Sequence, residues 1–219
     1  VAVIVQDGLR RMVGEQEDVF FYITLMNENY HHPAMPDGAQ EGILRGMYRV
    51  RTAEGAQVQL LGSGTILNEV RAAAELLQDD WGVQAEVWSV TSFTELRRDG
   101  IETERWNMLH PLQETRVPYV AQCLKADRGP VVASTDYVRA FADQIRQWVP
   151  GPYLVLGTDG YGRSDSRQAL RDFFEIDRRY VAVAALKGMA DRGELESQRV
   201  QEAIERYEID AEAPMPTTV

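Results

Sequence analysis

Hydrophobic positions along this chain fall into short, largely apolar runs and into stripes with a period near 3.6 residues. Residues 19–25 read VFFYITL, a continuous apolar, β-branched and aromatic run with the pattern of a strand covered on both faces in a parallel sheet. Polarity then changes abruptly. The following NENYHHPAMPDG is rich in turn formers and in side chains that handle protons, so it is expected as a loop leaving the carboxyl end of that strand, where open α/β sheets bind their ligands. From residue 45 to 57 the periodicity fades into small and charged residues (RTAEGAQ), which suggests a connection between two units with a boundary near residue 55.

Beyond that boundary the pattern alternates. Strands are predicted at 58–61, 84–90, 130–133 and 153–156, helices at 66–78 and 136–148, and a long irregular stretch after residue 90. Ile66, Leu67, Val70, Ala73, Ala74 and Leu77 fall on one stripe while Glu69, Glu75 and Asp79 point elsewhere; Ser63 or Thr65 can cap this helix and Gly82 follows its end. Val138, Phe141, Ile145 and Trp148 form a second stripe, with Ser134 or Thr135 as cap and Pro150-Gly151-Pro152 as stop. Further helices are expected over 166–174 and over 195–207, where Val200, Ala203, Ile204 and Tyr207 repeat; the last residues are expected to fray. This strand–helix alternation implies an α/β fold, a three-layer α/β/α arrangement around a mostly parallel sheet. It divides the chain into a remnant of one unit (1–45), a linker (46–55) and a domain (56–219).

Composition narrows the function classes. With 219 residues, 44% hydrophobic and 26% charged, the chain has enough apolar material for an ordinary core. Its 23 Lys and Arg against 34 Asp and Glu give a net charge of −11, which argues against nucleic acid as a partner, although a local basic patch can still hold a small anion. No apolar run approaches the roughly 20 residues of a membrane-spanning helix, so no membrane partner is expected. The single cysteine, Cys123, has no partner for a disulfide or a shared metal, which fits a cytoplasmic origin. The opening VAVIVQDGLRRM lacks the pattern of a secretory signal, and Val1 is expected to be a cut edge.

The most chemically suggestive stretch is Asn27-Glu28-Asn29-Tyr30-His31-His32. Glu28, His31 and His32 can supply an acid, a base or a donor to a substrate carboxylate; the competing reading is a polar turn whose side chains bond the backbone. Adjacent histidines on an extended segment diverge, and only His110 exists besides them, so no metal site is expected. Gly62-Ser63-Gly64 joins a strand to a helix, but Leu67 stands where the third glycine of a dinucleotide fingerprint belongs and no lysine completes a phosphate loop, so a tight turn is the simpler reading. In Gly157-Thr158-Asp159-Gly160-Tyr161-Gly162-Arg163-Ser164-Asp165, Arg163 can pair with a carboxylate or phosphate while Ser164, Asp165 or Ser166 caps the next helix; Asp159 and Asp165 oppose an anion there. Trp106 and His110, in what reads as a non-helical excursion, are expected at a subunit contact rather than in catalysis. Cys123, within the helical turn VPYVAQCLK, reads as a small buried residue and not a nucleophile.

Several strings taken together carry more information: ITLMNENYHHPAMPDG, VQLLGSGTIL, SVTSFTELRRDG, ERWNMLHPL, RVPYVAQ and VLGTDGYGRSDSR. In order and spacing, from about residue 4 to about residue 207, they resemble the C-terminal end of the homodimeric-type bacterial pyruvate dehydrogenase E1 family, within the transketolase superfamily. The resemblance implies a three-domain homodimeric subunit with thiamine diphosphate and magnesium held between its first two domains. It makes residues 1–45 the tail of the pyrimidine-binding domain and 56–219 a transketolase C-terminal-like domain that supports the dimer. The diphosphate- and magnesium-binding motif and the glutamate that activates the aminopyrimidine would lie upstream, so no cofactor-binding residue is expected here. By the same resemblance Glu28 and His31 face the active-centre channel, His31 as proton donor or substrate orienter and Glu28 in its hydrogen-bond network; His32 stands where relatives carry an apolar residue. The implied reaction is decarboxylation of pyruvate and transfer of the acetyl group to lipoyl-bearing E2, with residues 1–219 alone inactive and serving dimer assembly. The alternatives are a non-catalytic binding or assembly module with a small anion site at a helix N-terminus, and a nucleotide-dependent oxidoreductase domain resting on the Gly62 turn.

Overall fold

The apolar runs beyond residue 45 gather into a single sheet. In the computed structural model, which describes residues 1–26, 29–30 and 33–218, the strands are β1 (Met47–Arg51), β2 (Val58–Ser63), β3 (Ala85–Val90), β4 (Val131–Ser134) and β5 (Tyr153–Leu156), in the order β1-β3-β2-β4-β5. β2 to β5 run parallel, and β1 closes the β3 edge antiparallel, with Met47 opposite Val90. The helices are α1 (Ala2–Leu9), α2 (Ala39–Arg45), α3 (Leu67–Trp81), α4 (Phe93–Leu109), α5 (Tyr119–Cys123), α6 (Arg139–Asp143), α7 (Arg167–Phe173), α8 (Arg178–Asp191) and α9 (Ser197–Arg206).

The sheet is covered on both faces, as the strand–helix alternation predicts. On one face α3, α8 and α9 pack Val70, Leu77, Val181, Leu186 and Ala203 against Leu60 and Val132. On the other, α4, α5 and the segments around Ile145 and Trp148 pack against Leu61, Trp88 and Val131. The central strand β2 is buried along its whole length, and its one amide side chain is satisfied in both directions: Gln59 Nε2 donates to the Lys125 carbonyl at 2.8 Å, and the Lys125 N–H donates to Gln59 Oε1 at 2.9 Å. The stripe predicted for α3 is the buried one, and Gly82 ends the helix in the left-handed region (φ 68°) with its N–H on the Gln78 carbonyl.

Several expectations need correction. Residues 19–25 are extended, but they join no strand pair among the described residues. Val19, Phe21 and Ile23 are half-buried, with Phe21 packed on Gly8 of α1, while Phe20 (85%) and Tyr22 (86%) are exposed. One face is covered rather than two, and a ladder cannot form where no neighbouring strand offers its carbonyls and N–H groups. The stretch read as irregular after residue 90 is the 17-residue helix α4; Ser92 caps it by accepting the Glu95 N–H at 3.1 Å, while its sparse buried face, Phe93, Leu96 and Gly100, hid the helical period. The predicted helix at 136–148 is broken into α6 and a 3₁₀ turn at Arg146–Trp148. Thr135 Oγ1 accepts the Tyr137 N–H and Asp159 Oδ1 accepts the Arg139 N–H, which delays the helix start, so Val138 and Phe141 are exposed and only Ile145 and Trp148 are buried. The stretch 46–55, expected as a linker, contributes the edge strand β1. Helix α8, not anticipated in the sequence, is buried on several sides because it lies between the sheet, α3 and α9.

Gly62 shows how close that packing is. A Cβ there would stand 2.7 Å from the Leu67 Cα and 3.1 Å from Val70 Cγ2. Gly62→Ala is therefore expected to destabilise the fold by about 1–3 kcal/mol, the usual penalty of overpacking. Urea unfolding checks it, and an unchanged midpoint would show that β2 and α3 can move apart without strain.

Candidate functional site

Glu28 and His31, the two residues singled out for catalysis, lie outside the described residues, as do Asn27 and His32. The described residues on either side of Glu28 nevertheless dock on one end of the sheet. Thr24 Oγ1 meets the Tyr137 hydroxyl at 2.5 Å, and the Tyr30 hydroxyl accepts from Arg171 Nη2 at 3.1 Å. Tyr137 follows β4 and Arg171 lies on the helix after β5, so both anchors belong to the carboxyl end of the parallel strands. The chain leaves β2 toward β3 on one side and has β4 on the other, which makes this end a topological switch point of the kind where α/β folds bind ligands.

Below Tyr30 lies a network that joins the starts of α3 and α8 to the last turn of α7. Glu69, in the first turn of α3, is buried, with a side chain 7% exposed. The corner between α7 and α8 is pinned by Ser134 Oγ, which donates to the Ile176 carbonyl at 3.1 Å, and Asp177 caps α8 by accepting the N–H groups of Arg179 and Tyr180. That fixes Arg178 at the helix start. Its Nε reaches Glu69 Oε2 at 2.9 Å, its Nη2 reaches Oε1 at 3.3 Å, and its backbone N–H reaches Oε2 at 3.3 Å. Arg171 Nη1 adds a contact to Oε1 at 3.2 Å. Burial pushes the Glu69 carboxyl up, but the Arg178 hydrogen bonds and charge, with the Arg171 charge behind them, outweigh it and hold the group below the usual glutamate value. An open cleft of about 750 Å³ lies here, lined by Glu69, Ser166, Gln168, Arg171, Asp177 and Arg178 among others.

The remaining sequence candidates have structural roles. Neither Ser63 nor Thr65 caps α3; Ser63 Oγ instead bonds Thr135 Oγ1 at 2.7 Å, and the Gly62-Ser63-Gly64 turn is tight packing with Gly64 at φ 54°. In the second glycine-rich turn, Asp159 takes the Arg139 N–H, Arg163 lies 4.4 Å from the Phe173 ring centroid, and Ser166 caps α7 through the Ala169 N–H. Trp106 is helical, in the last turn of α4, correcting the non-helical reading; its ring stacks on His110 at 4.4 Å with the Arg116 guanidinium 3.7 Å from its centroid. Burial pushes the Cys123 thiol up, which suppresses the thiolate. Among the described residues no group of three or more His, Cys, Asp or Glu side chains is placed to hold a metal ion.

Sequence reasoning missed the Glu69 network. One signal was present: Arg178 and Arg179 open α8, where the helix dipole disfavours cations, so each needs a specific acidic partner. Arg179 finds Asp177 and Asp172; Arg178 finds Glu69. Because the Glu69 carboxyl is held below its ordinary 4.5, its contribution to stability is complete above that value and is lost as the pH falls through the depressed one. Glu69→Gln is expected to cost about 2 kcal/mol near neutrality, toward the low side for a broken buried pair because Arg178 is half-exposed. Denaturant titrations at two pH values check it: the deficit should shrink as the pH is taken below 4.5, and a deficit independent of pH would remove the charge from the account.

Residues 46–177 match the family model of the transketolase-like TK C-terminal domain, and residues 1–33 match that of the pyruvate dehydrogenase E1 component middle domain. Over 220 residues the chain is 59% identical to the pyruvate dehydrogenase E1 component of Escherichia coli and 58% identical to that of Pseudomonas aeruginosa, alignments that take in 99% of this chain and 25% of each relative. The chain thus spans about a quarter of the length of the relatives it matches. A transketolase from Pichia stipitis superposes with a TM-score of 0.51 at 16% identity, over 74% of this chain and 21% of that one, a likeness of fold alone. A transketolase-like C-terminal domain preceded by a stretch of E1 middle domain, with near-complete coverage by E1 sequences, means that the chain belongs to the transketolase-like C-terminal domain family and, within it, to the bacterial pyruvate dehydrogenase E1 sequences.

Proposed function

We propose that the protein carrying this chain is a thiamine-diphosphate-dependent E1 subunit that decarboxylates pyruvate and passes the acetyl group to lipoyl-bearing E2, and that this chain supplies one catalytic loop and the C-terminal domain. The observation that carries the reading is identity of 58–59% to E1 components across 99% of the chain. In this reading residues 1–45 close the pyrimidine-binding domain and the remainder forms the C-terminal domain; the two family models, ending at 33 and beginning at 46, support the division. A cytoplasmic setting accords with the lone cysteine and with relatives that are bacterial E1 components. No helix among the described residues is long and apolar enough to cross a membrane, and the net charge of −11 disfavours nucleic acid.

Thiamine diphosphate supplies the electron sink for decarboxylation when bound, with magnesium on its diphosphate. The described residues here do not fit that group: they offer no metal-ligand set, and the glycine turn after β2 is closed by packing against Leu67. What this chain brings is the loop. The His31 imidazole is suited to hold or give a proton near neutral pH, and a carboxylate such as Glu28 within its hydrogen-bond network would favour the charged ring.

In the full-length protein with thiamine diphosphate and magnesium, Glu28→Gln and His31→Ala are expected to lower kcat for pyruvate about 100-fold; parental turnover in both would remove the loop from the chemistry. Residues 1–219 alone, given the same cofactors, are expected to show no decarboxylation, and robust turnover would overturn this account. The same polypeptide should self-associate in sedimentation velocity through apolar side chains such as Phe20, Tyr22, Leu25 and Leu112, all largely exposed, as a piece of a homodimer would. A clean monomer would favour an independent binding module.

A further inference from the structure

Tyr30 stands between Asn29 and His31 in the sequence, two residues after Glu28. Its hydroxyl accepts a hydrogen bond from Arg171, a residue of the C-terminal domain that lies 141 positions away. We propose that Arg171 is a positioning residue for the catalytic loop: it holds the Tyr30 hydroxyl with a guanidinium whose own direction is set by buried Glu69. The assignment rests on the catalytic reading of the loop given above and extends it to a residue outside the loop.

The geometry carries the assignment. A guanidinium is planar, so engaging one of its nitrogens fixes the direction of the other. Arg171 Nη1 is engaged by Glu69 Oε1, and the Arg171 side chain is 17% exposed, so Nη2 is aimed at Tyr30 from a packed position. Glu69 in turn cannot swing away, because Arg178 holds it with two side-chain nitrogens and a backbone N–H, and Arg178 is itself seated by the α8 start that Asp177 caps. Arg179, which also lines the cleft, is engaged by Asp172 and Asp177. Adjacent Cα atoms are about 3.8 Å apart, so the restraint at Tyr30 acts one residue along the chain from His31. Thr24, hydrogen-bonded to Tyr137, gives the loop a second tether before Asn27. Catalytic groups carried on loops need such support, since displacement by about 1 Å can cost about 100-fold in rate.

The test uses the full-length protein with its cofactors. Tyr30→Phe removes only the hydroxyl, and Arg171→Met removes the donor; each is expected to lower kcat about tenfold while KM for pyruvate stays within about twofold. The double variant should be no slower than either single, because both delete one interaction. Arg171→Lys should recover part of the loss, and amide exchange over residues 26–35 should quicken in Tyr30→Phe and Arg171→Met alike. Tyr30→Phe is the decisive variant, since it leaves the Glu69 pair intact even if Arg171→Met folds poorly. If Glu28→Gln and His31→Ala impair turnover but Tyr30→Phe does not, the loop reading stands and the positioning role is overturned. If Glu28→Gln and His31→Ala leave turnover unchanged, the loop reading fails and the assignment fails with it.

Discussion

A carboxylate placed in the first turn of a helix and then covered by two more helices has to be matched by donors or the site cannot be closed. Glu69 is matched by four, three from Arg178 and one from Arg171. Much of the carboxyl end of the sheet is organised by that requirement. Arg178 must stand at the start of α8, so Asp177 must cap it, so the corner at Ile176 must be anchored, and Ser134 at the end of β4 does so. The same carboxylate directs Arg171 toward Tyr30. A single buried charge therefore relates the starts of α3 and α8, the end of β4 and the segment ahead of α2, elements spread over most of the chain. Such an ion group is weak evidence for stability, because replacing it with well-packed apolar residues is often neutral. Its value here lies in fixing directions.

What the sequence discloses depends on how local the deciding interactions are. The parallel core is legible because its strands are short, mostly apolar runs and α3 has a full stripe ended by Gly82. Helix α4 is hidden because it buries one edge of a charged helix, although Ser92 and Glu95 spell its cap. The segment 136–148 misleads in the opposite direction. It has the helical spacing, yet Thr135 and Asp159 take backbone N–H groups ahead of it and hold its first residues out of the helix. Residues 19–25 show a third case, since composition sets an extended backbone while pairing depends on strands elsewhere.

The proposed catalytic loop and the Glu69 group divide along the same line. Glu28 and His31 announce themselves by residue type and by their place after an extended apolar run, which is as far as a sequence without geometry can go. The Glu69 group has no local signature, because its partners Arg171 and Arg178 lie 102 and 109 residues away and only folding brings them together. Glu69 even falls off the apolar stripe of α3, which by periodicity alone assigns it to solvent. A buried acid of this kind is found by asking why two arginines open a helix whose dipole opposes them.

The direction of β1 bears on how the chain passes from the stretch that matches the E1 middle domain into the sheet of the transketolase-like C-terminal domain. Because β1 runs antiparallel to β3, with Met47 opposite Val90, it begins at the carboxyl end of the parallel strands, the end on which Thr24 and Tyr30 dock. A first strand parallel to its neighbours would begin at the opposite rim, and the chain would have to travel the height of the sheet, about 17 Å for five residues, before entering it. The reversed strand removes that detour. Entry into the sheet takes place on the rim that carries the anchors of Thr24 and Tyr30, so those anchors and the doorway to the sheet share one piece of scaffold.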